Sequence, residues 1–157
     1  MSKGKLVLLL EASPLKVVQR VSSTAFPNEG GGILIGYRTL REVVVTHALE
    51  VPDHRADGRR YLRRRAPAQR VLDDLMSREP SSSLLGWVGE FHSHPADQPA
   101  SQTDLLALRR DAVADGRPVA LLIAARSGAA WRFFGYVATR WRCHVAGIVH
   151  RPSEERV

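Results

Sequence analysis

Two histidines, His92 and His94, lie two residues apart at the end of an apolar run and are followed directly by Pro95. The run from Leu84 to Phe91 is apolar and aromatic enough to form a strand, and side chains two positions apart on a strand point to the same face. Both imidazoles are therefore expected to reach one metal ion. Proline has no N–H to give to a sheet, so the strand is predicted to end at Pro95.

A serine and an aspartate follow in the segment Ser101-Gln102-Thr103-Asp104. The segment also fits a helix-capping box, in which Ser101 is the N-cap and Asp104 lies in the first turn. The two interpretations are compatible, because a helix that begins beside the histidines could bring the Asp104 carboxylate to their metal. Two neutral imidazoles and one carboxylate are typical ligands of a catalytic zinc, which keeps a fourth position for water.

A second ligand set has the same support from spacing alone. Glu90, His92 and His94 are at positions i, i+2 and i+4, so all three side chains would share one face of the strand. The spacing leaves both sets open, with either Asp104 or Glu90 as the third ligand.

The combination of an upstream Glu, His-x-His-Pro and Ser-x-x-Asp resembles the active site of the JAMM metalloproteases, also called MPN or JAB domains, and the similarity spans nearly the whole chain. The resemblance implies that Glu29, in the glycine-rich segment from Pro27 to Gly36, is the family's upstream glutamate. It also favours Asp104 as the third ligand and makes Glu90 a supporting residue. One departure is the loop from Pro95 to Ala100, which is one residue shorter than in the family's usual pattern.

The chemistry that the resemblance implies is metal-assisted hydrolysis of an amide. His92, His94 and Asp104 would hold one zinc ion, which lowers the pKa of its bound water to roughly 7. Glu29 is expected to accept the water's proton and pass it to the leaving amine. Ser101 is expected to donate a hydrogen bond to the oxyanion.

The remaining patterns predict one α/β domain. A chain of 157 residues without repeats or low-complexity blocks is the right size for a single core. Helices are predicted at 14–25, 66–77 and 102–114, and strands at 6–10, 32–35, 42–51, 84–94, 119–125, 131–137 and 143–149. Asp115-Gly116 is predicted to end the third helix, and Ser127-Gly128 to form a hairpin turn.

These elements suggest a curved, largely antiparallel mixed sheet flanked by about three helices. The JAMM resemblance implies the same arrangement, which is cytidine-deaminase-like. We expect the domain to occupy residues 1–151, followed by a flexible C-terminal tail at 152–157.

The chain carries a formal net charge of +7, and part of it lies between Arg55 and Arg70. A solvated loop and helix start would explain these arginines, and so would a site for a carboxylate-bearing partner. Arginines also neutralise the phosphates of nucleic acids of any sequence. The chain has no recognisable nucleic-acid-binding motif, however, so nucleic acid is not the expected partner. No apolar stretch is long enough for a signal-peptide core or a membrane span, which predicts a cytoplasmic protein without a membrane partner.

The resemblance is greatest to bacterial JAMM proteins, some of which accompany ubiquitin-activating-like and ubiquitin-conjugating-like enzymes in antiviral conjugation systems. It implies a zinc-dependent peptidase or isopeptidase that cuts the amide bond after the C-terminus of a ubiquitin-like protein. Such an enzyme would process the modifier or remove it from its conjugates. Two alternatives are a catalytically inactive MPN scaffold and a DNA-associated module similar to RadC proteins.

Overall fold

The computed structural model of the protein describes residues 4–52, 65–80 and 84–153. Within those ranges the helices are α1 (Ala12–Ala25), α2 (Arg65–Arg78) and α3 (Gln102–Asp115). The strands are β1 (Val7–Glu11), β2 (Gly31–Arg38), β3 (Glu42–Glu50), β4 (Gly86–His94), β5 (Val119–Ser127), β6 (Ala130–Ala138), β7 (Cys143–Ala146) and β8 (Ile148–Arg151). Most of the basic segment between Arg55 and Arg70, and residues 154–157 of the predicted tail, lie outside the described residues.

The three predicted helices are confirmed, and each begins or ends within two residues of its predicted bounds. Helix α3 ends at Asp115 because Gly116 adopts a left-handed conformation, with φ of 76°, that side chains with a Cβ rarely adopt. The predicted hairpin turn between β5 and β6 contains Gly128, with φ of 62°. In the described ranges, none of the helices combines the length and the apolar composition needed to cross a bilayer.

The strands form one mixed sheet in the order β7-β6-β5-β4-β2-β3-β1-β8. The pairs β2–β3, β2–β4, β5–β6 and β6–β7 are antiparallel, and the pairs β1–β3, β1–β8 and β4–β5 are parallel. The two outermost strands, β7 and β8, are separated in the chain by Gly147 alone. The sheet therefore curves until its two edges approach each other, so the predicted mixed, curved sheet is confirmed.

The prediction of one strand at 143–149 is wrong. Residues Cys143–Ala146 pair with β6, and Ile148–Arg151 pair with β1 at the other edge of the sheet. The chain changes partner at Gly147, whose carbonyl accepts a hydrogen bond from Leu8 at 3.0 Å. A run of strand-forming residues predicts extended backbone but does not tell which neighbour each half will pair with.

The predicted strand at 32–35 is longer in the structure, where β2 continues to Arg38. Gly36 suggests a strand end in the sequence, but here it lies inside the strand. A Cβ at this position would lie 1.7 Å from the carbonyl oxygen of Val44, so only glycine permits β3 to approach this closely.

Helix α1 packs against one face of the sheet, and α2 and α3 pack against the other. Val18 of α1 belongs to the same buried cluster as Leu122 of β5, whereas Leu108 of α3 packs with the neighbouring Ile123. Burying an apolar side chain of this size contributes about 1.5–3 kcal/mol to the stability of the folded state. Strand β4 lies between β5 and β2 in the middle of the sheet, so its carboxyl end is held on both sides.

Polar contacts at the C-terminal end of the described chain attach β8 to the first elements. The Arg151 guanidinium donates to the carboxylate of Glu11 at 2.9 Å and to the hydroxyl of Tyr37 at 3.2 Å. The Ser13 N–H, in the first turn of α1, donates to the Ser153 hydroxyl at 2.7 Å. Ser153 thus supplies the cap that the N-cap residue of α1, Glu11, does not provide from its own side chain.

Candidate metal centre

Strand β4 places two imidazoles on the face of the sheet that α3 covers. It ends at His94, directly before Pro95, as the sequence predicts. The rings of His92 and His94 are both buried, and their centroids are 5.1 Å apart. The predicted common face of the two histidines is therefore confirmed.

Helix α3 brings a carboxylate to these rings through the geometry of its first turn. The Ser101 hydroxyl accepts a hydrogen bond from the Asp104 N–H at 3.1 Å, and the Asp104 carboxylate accepts one from the Ser101 N–H at 2.8 Å. This is the predicted capping box, with both reciprocal bonds formed. The box fixes the rotamer of Asp104, so the same side chain closes the helix end and faces the histidines.

The three side chains form a compact donor set. Nε2 of His92 lies 3.3 Å from one carboxylate oxygen of Asp104, and Nε2 of His94 lies 3.5 Å from the other. One ligand atom from each of the three residues lies within 4.8 Å of the others. Two ligands of a tetrahedral zinc, each about 2.0–2.1 Å from the ion, are about 3.3–3.4 Å apart, so this donor set fits zinc.

Glu90 is not part of this group. Among the described residues, the cluster of potential metal ligands consists of His92, His94 and Asp104. The alternative ligand set, in which Glu90 is the third ligand, therefore has less support from the geometry than the set with Asp104. The loop that is one residue short does not prevent Asp104 from contacting both histidines.

Opposing effects set the pKa values in this group. Burial raises the pKa of Asp104, but hydrogen bonds from His92 and His94 outweigh it and hold that pKa well below its usual range. Burial lowers the pKa of His94, but the hydrogen bonds with Asp104 and the Gln98 carbonyl, together with the negative charge of Glu29, raise it above its ordinary value. The group therefore concentrates negative charge around two imidazoles, as a cation site requires.

The loop between β4 and α3 orients the ring of His94. Nδ1 of His94 lies 3.0 Å from the Gln98 carbonyl oxygen, to which it donates in the neutral tautomer whose Nε2 can bind a metal ion. Near the end of the loop, the Ala100 N–H donates to the Tyr136 hydroxyl of β6 at 3.1 Å. These two bonds hold the loop at its middle and near its end.

Glu29 lies in the connection from α1 to β2, which is attached to the residue between the histidines. The Gly30 N–H donates to the Ser93 hydroxyl at 2.9 Å, and the Ser93 N–H donates to the Gly30 carbonyl at 2.8 Å. A Cβ on Gly30 would lie 2.8 Å from the Cβ of Ala25, so the connection packs tightly against the end of α1. Glu29 is partly buried, and its negative charge contributes to the raised pKa of His94.

Ser101 is exposed at the start of α3. Its hydroxyl oxygen already accepts the Asp104 N–H, but a hydroxyl can accept and donate at the same time. The hydroxyl proton of Ser101 thus remains suited to a second acceptor near the donor set.

Sequence reasoning missed three residues that support the site: Ser93, Gln98 and Tyr136. The sequence could have indicated Ser93, because it is a small hydroxyl residue between two candidate metal ligands and must point to the opposite face of the strand. No sequence pattern could have indicated Gln98, because it acts through a backbone carbonyl that every residue carries. Tyr136 could be identified only after the register of β6 was known.

Comparison with curated proteins finds one relative over part of the chain. A protein from Escherichia coli (strain TW11681) named CD-NTase/cGAS isopeptidase is 35% identical to the chain over 72 residues. The alignment spans 45% of this chain and 45% of that protein, so the similarity covers less than half of each.

A solved structure with little sequence identity shares the architecture. The solution structure of protein DSY2949 from Desulfitobacterium hafniense superimposes with a TM-score of 0.69 at 16% identity, covering 95% of this chain and 96% of that one. At this identity the likeness shows the fold alone. The crystal structure of AF2198, a JAB1/MPN domain protein from Archaeoglobus fulgidus, gives a TM-score of 0.48 at 14% identity, covering 92% of this chain and 99% of that one.

The family comparison covers most of the chain. Residues 15–150 match the family described as prokaryotic homologs of the JAB domain. This range includes Glu29, both histidines, Ser101 and Asp104. The resemblance drawn from the sequence motifs is confirmed, and the chain belongs to the prokaryotic homologs of the JAB domain.

Proposed function

We propose that the protein is a zinc-dependent isopeptidase that hydrolyses the amide bond after the C-terminus of a modifier protein. The observation that carries the proposal is the position of the Asp104 carboxylate, 3.3 and 3.5 Å from the Nε2 atoms of His92 and His94. The Glu29 segment is attached to the same strand through Ser93.

His92, His94 and Asp104 would hold the zinc ion, since they form the donor set that fits it. Zinc, when bound, supplies a Lewis acid that polarises the amide carbonyl and makes water more acidic. The hydrogen bond from His94 to the Gln98 carbonyl keeps Nε2 available as a ligand and increases its basicity.

Glu29 is the proposed general base and acid. Its carboxylate takes a proton from the attacking water as the new C–O bond forms at the amide carbon. It then gives this proton to the amine nitrogen as the C–N bond breaks. The second proton of the water also passes to the amine, so the products are a carboxylate at the C-terminus of the modifier and a protonated amine on the target.

Ser101 is the proposed oxyanion donor. Its hydroxyl accepts from the Asp104 N–H, which fixes the oxygen and leaves the hydroxyl proton to point toward the substrate carbonyl. A donor held in place before the reaction stabilises the negative charge that develops on that oxygen, typically by on the order of a hundredfold in rate.

Two modifier classes fit the proposal. The resemblance to JAMM enzymes suggests a ubiquitin-like protein, with ubiquitin-activating-like and ubiquitin-conjugating-like enzymes as further partners. The name of the Escherichia coli relative suggests a CD-NTase as the protein that is released. Both classes require the same reaction, which is hydrolysis of an amide at a protein C-terminus.

The test is a cleavage assay with two fusion substrates. One carries a bacterial ubiquitin-like protein and the other a bacterial CD-NTase, each joined through its C-terminus to a fluorescent protein. We expect zinc-dependent release of the fluorescent protein from one of them, and no release by the Glu29→Gln variant. Zinc binding without cleavage of either substrate would favour the inactive scaffold instead.

A further inference from the structure

One surface of the molecule combines large exposed apolar side chains with arginines. It consists of the outer face of α3 and the turn between β6 and β7, and we name it the α3 surface. Leu106 and Val113 of α3 are 61% and 58% exposed, and Trp141 of the turn is 76% exposed. We propose that the α3 surface docks an acidic protein partner that has apolar side chains at the centre of its contact.

The two parts of the α3 surface are continuous. Leu106, Arg110 and Val113 follow the i, i+4, i+7 spacing of one helix face, whereas Leu108 and Ala112 on the opposite face are buried against the sheet. The Arg109 guanidinium donates to the Trp141 carbonyl at 3.3 Å and so attaches the turn to the helix. The exposed tryptophan is therefore part of a turn that is attached to α3.

The charge of the α3 surface selects the kind of partner. Arg109, Arg110 and Arg140 form no ion pair with a carboxylate among the described residues. The three acids of α3 are directed elsewhere: Asp104 contacts the histidines, Asp111 lines a cavity shared with α2, and Asp115 pairs with Arg38 and Arg117. An acidic partner would neutralise these arginines, whereas a basic partner would be repelled.

The apolar residues favour a protein over a nucleic acid. Exposed leucine and valine give no contact to a phosphate backbone, but they fit the apolar centre of a protein interface. Tryptophan and arginine are also the residues that most often dominate binding energy at such interfaces. The Arg140 guanidinium lies 4.9 Å from the centroid of the Trp141 ring, which limits the rotamers of both side chains before any partner arrives.

The α3 surface begins one turn beyond the capping box of Ser101 and Asp104. Docking requires no hydrolysis, so this inference goes beyond the proposed function and can fail or succeed independently of it.

The probe is a phage-displayed library of random peptides, selected against the full chain. We expect enriched peptides that combine Asp and Glu with aromatic or aliphatic residues. Trp141→Ala should weaken their binding about tenfold or more, and so should the double variant Arg110→Glu, Arg140→Glu. The matched control is Lys16→Glu, Arg20→Glu, which changes the net charge equally on α1, at the opposite face of the sheet, and should keep the affinity.

The His94→Ala variant separates docking from metal chemistry. If the α3 surface binds the peptides, their affinity is unchanged in this variant, whether or not the protein hydrolyses any conjugate. Enrichment without acidic and apolar residues would overturn the proposal, and so would equal losses in the surface and control variants or binding that requires His94. Tight binding of duplex DNA that depends on Arg110 and Arg140 but not on Trp141 would overturn it in favour of a nucleic acid.

Discussion

Ser101 and Asp104 hold each other through two hydrogen bonds, one from each backbone N–H to the other residue's side chain, at 3.1 and 2.8 Å. The same carboxylate lies within 3.5 Å of both histidine rings. A local helix cap thus fixes the position of a candidate metal ligand. The stability of α3 and the geometry of the donor set are consequently linked.

This link predicts different effects for two substitutions of Ser101. Ser101→Ala should lower the free energy of unfolding by about 1 kcal/mol, because the cap loses its acceptor, whereas Ser101→Gly should cost only a few tenths. Both variants lose the proposed oxyanion donor, so turnover should fall on the order of a hundredfold in each. Urea denaturation and the fusion-cleavage assay measure the two effects. A turnover loss in the alanine variant alone would show that Ser101 acts only through the cap.

Ser93 is expected to act on Glu29 through Gly30. In Ser93→Ala the Gly30 N–H loses its acceptor, which should lower the free energy of unfolding by about 1–3 kcal/mol, since the hydroxyl is buried. Zinc content should remain at the wild-type level, because the donor set is intact, while turnover falls. Ser93→Thr keeps the hydroxyl and should restore much of the rate. Loss of zinc in the alanine variant would contradict a role limited to Glu29.

The metal-free protein should be more stable at pH 6 than at pH 8. The pKa of His94 is raised in the folded state, so its contribution is fully present below the unfolded value of about 6.5 and is lost as the pH rises through the folded pKa. Thermal unfolding after chelation measures this, and Asp104→Asn should reduce the dependence because the carboxylate is absent. Zinc affinity should show the opposite trend, since the ligand is neutral imidazole. A Tm that rises with pH in the chelated wild type would contradict this electrostatic description.

The buried contact between Arg151 and Glu11 should stabilise the closure of the sheet. The Glu11 side chain is only 3% exposed, so Arg151→Ala would leave a buried carboxylate without this guanidinium. We expect a loss of up to about 3 kcal/mol in unfolding free energy, because removing one partner of a buried pair costs more than the pair contributes. Arg20→Ala, at an exposed position on α1, is the control and should change stability little. Equal stability of the two variants would refute the role of Arg151.

The elements and most of the site could be predicted from sequence because each depends on local patterns. The position of Pro95 gives the end of β4, the spacing of His92 and His94 gives their common face, and Ser-x-x-Asp gives the capping box. These features follow from the geometry of one strand and one helix end, so a short window of sequence contains them.

The features that the sequence did not predict depend on contacts between distant parts of the chain. The change of partner at Gly147 requires knowledge of how far the sheet curves. The attachment of Gly30 to Ser93 links residues 63 positions apart, and no local pattern indicates it. Spacing along β4 supports both Glu90 and Asp104, so the sequence favours Asp104 only through the family resemblance, whereas the packing of α3 on the sheet adds the distances from Asp104 to both histidines.

The zinc stoichiometry of wild type, His94→Ala and Glu29→Gln, measured by native mass spectrometry, tests the proposed metal centre directly. We expect one zinc ion in wild type and in Glu29→Gln, because Glu29 is the proposed base rather than a ligand, and none in His94→Ala. No specific metal in the wild-type protein, or equal zinc content in wild type and His94→Ala, would contradict the proposed metal centre.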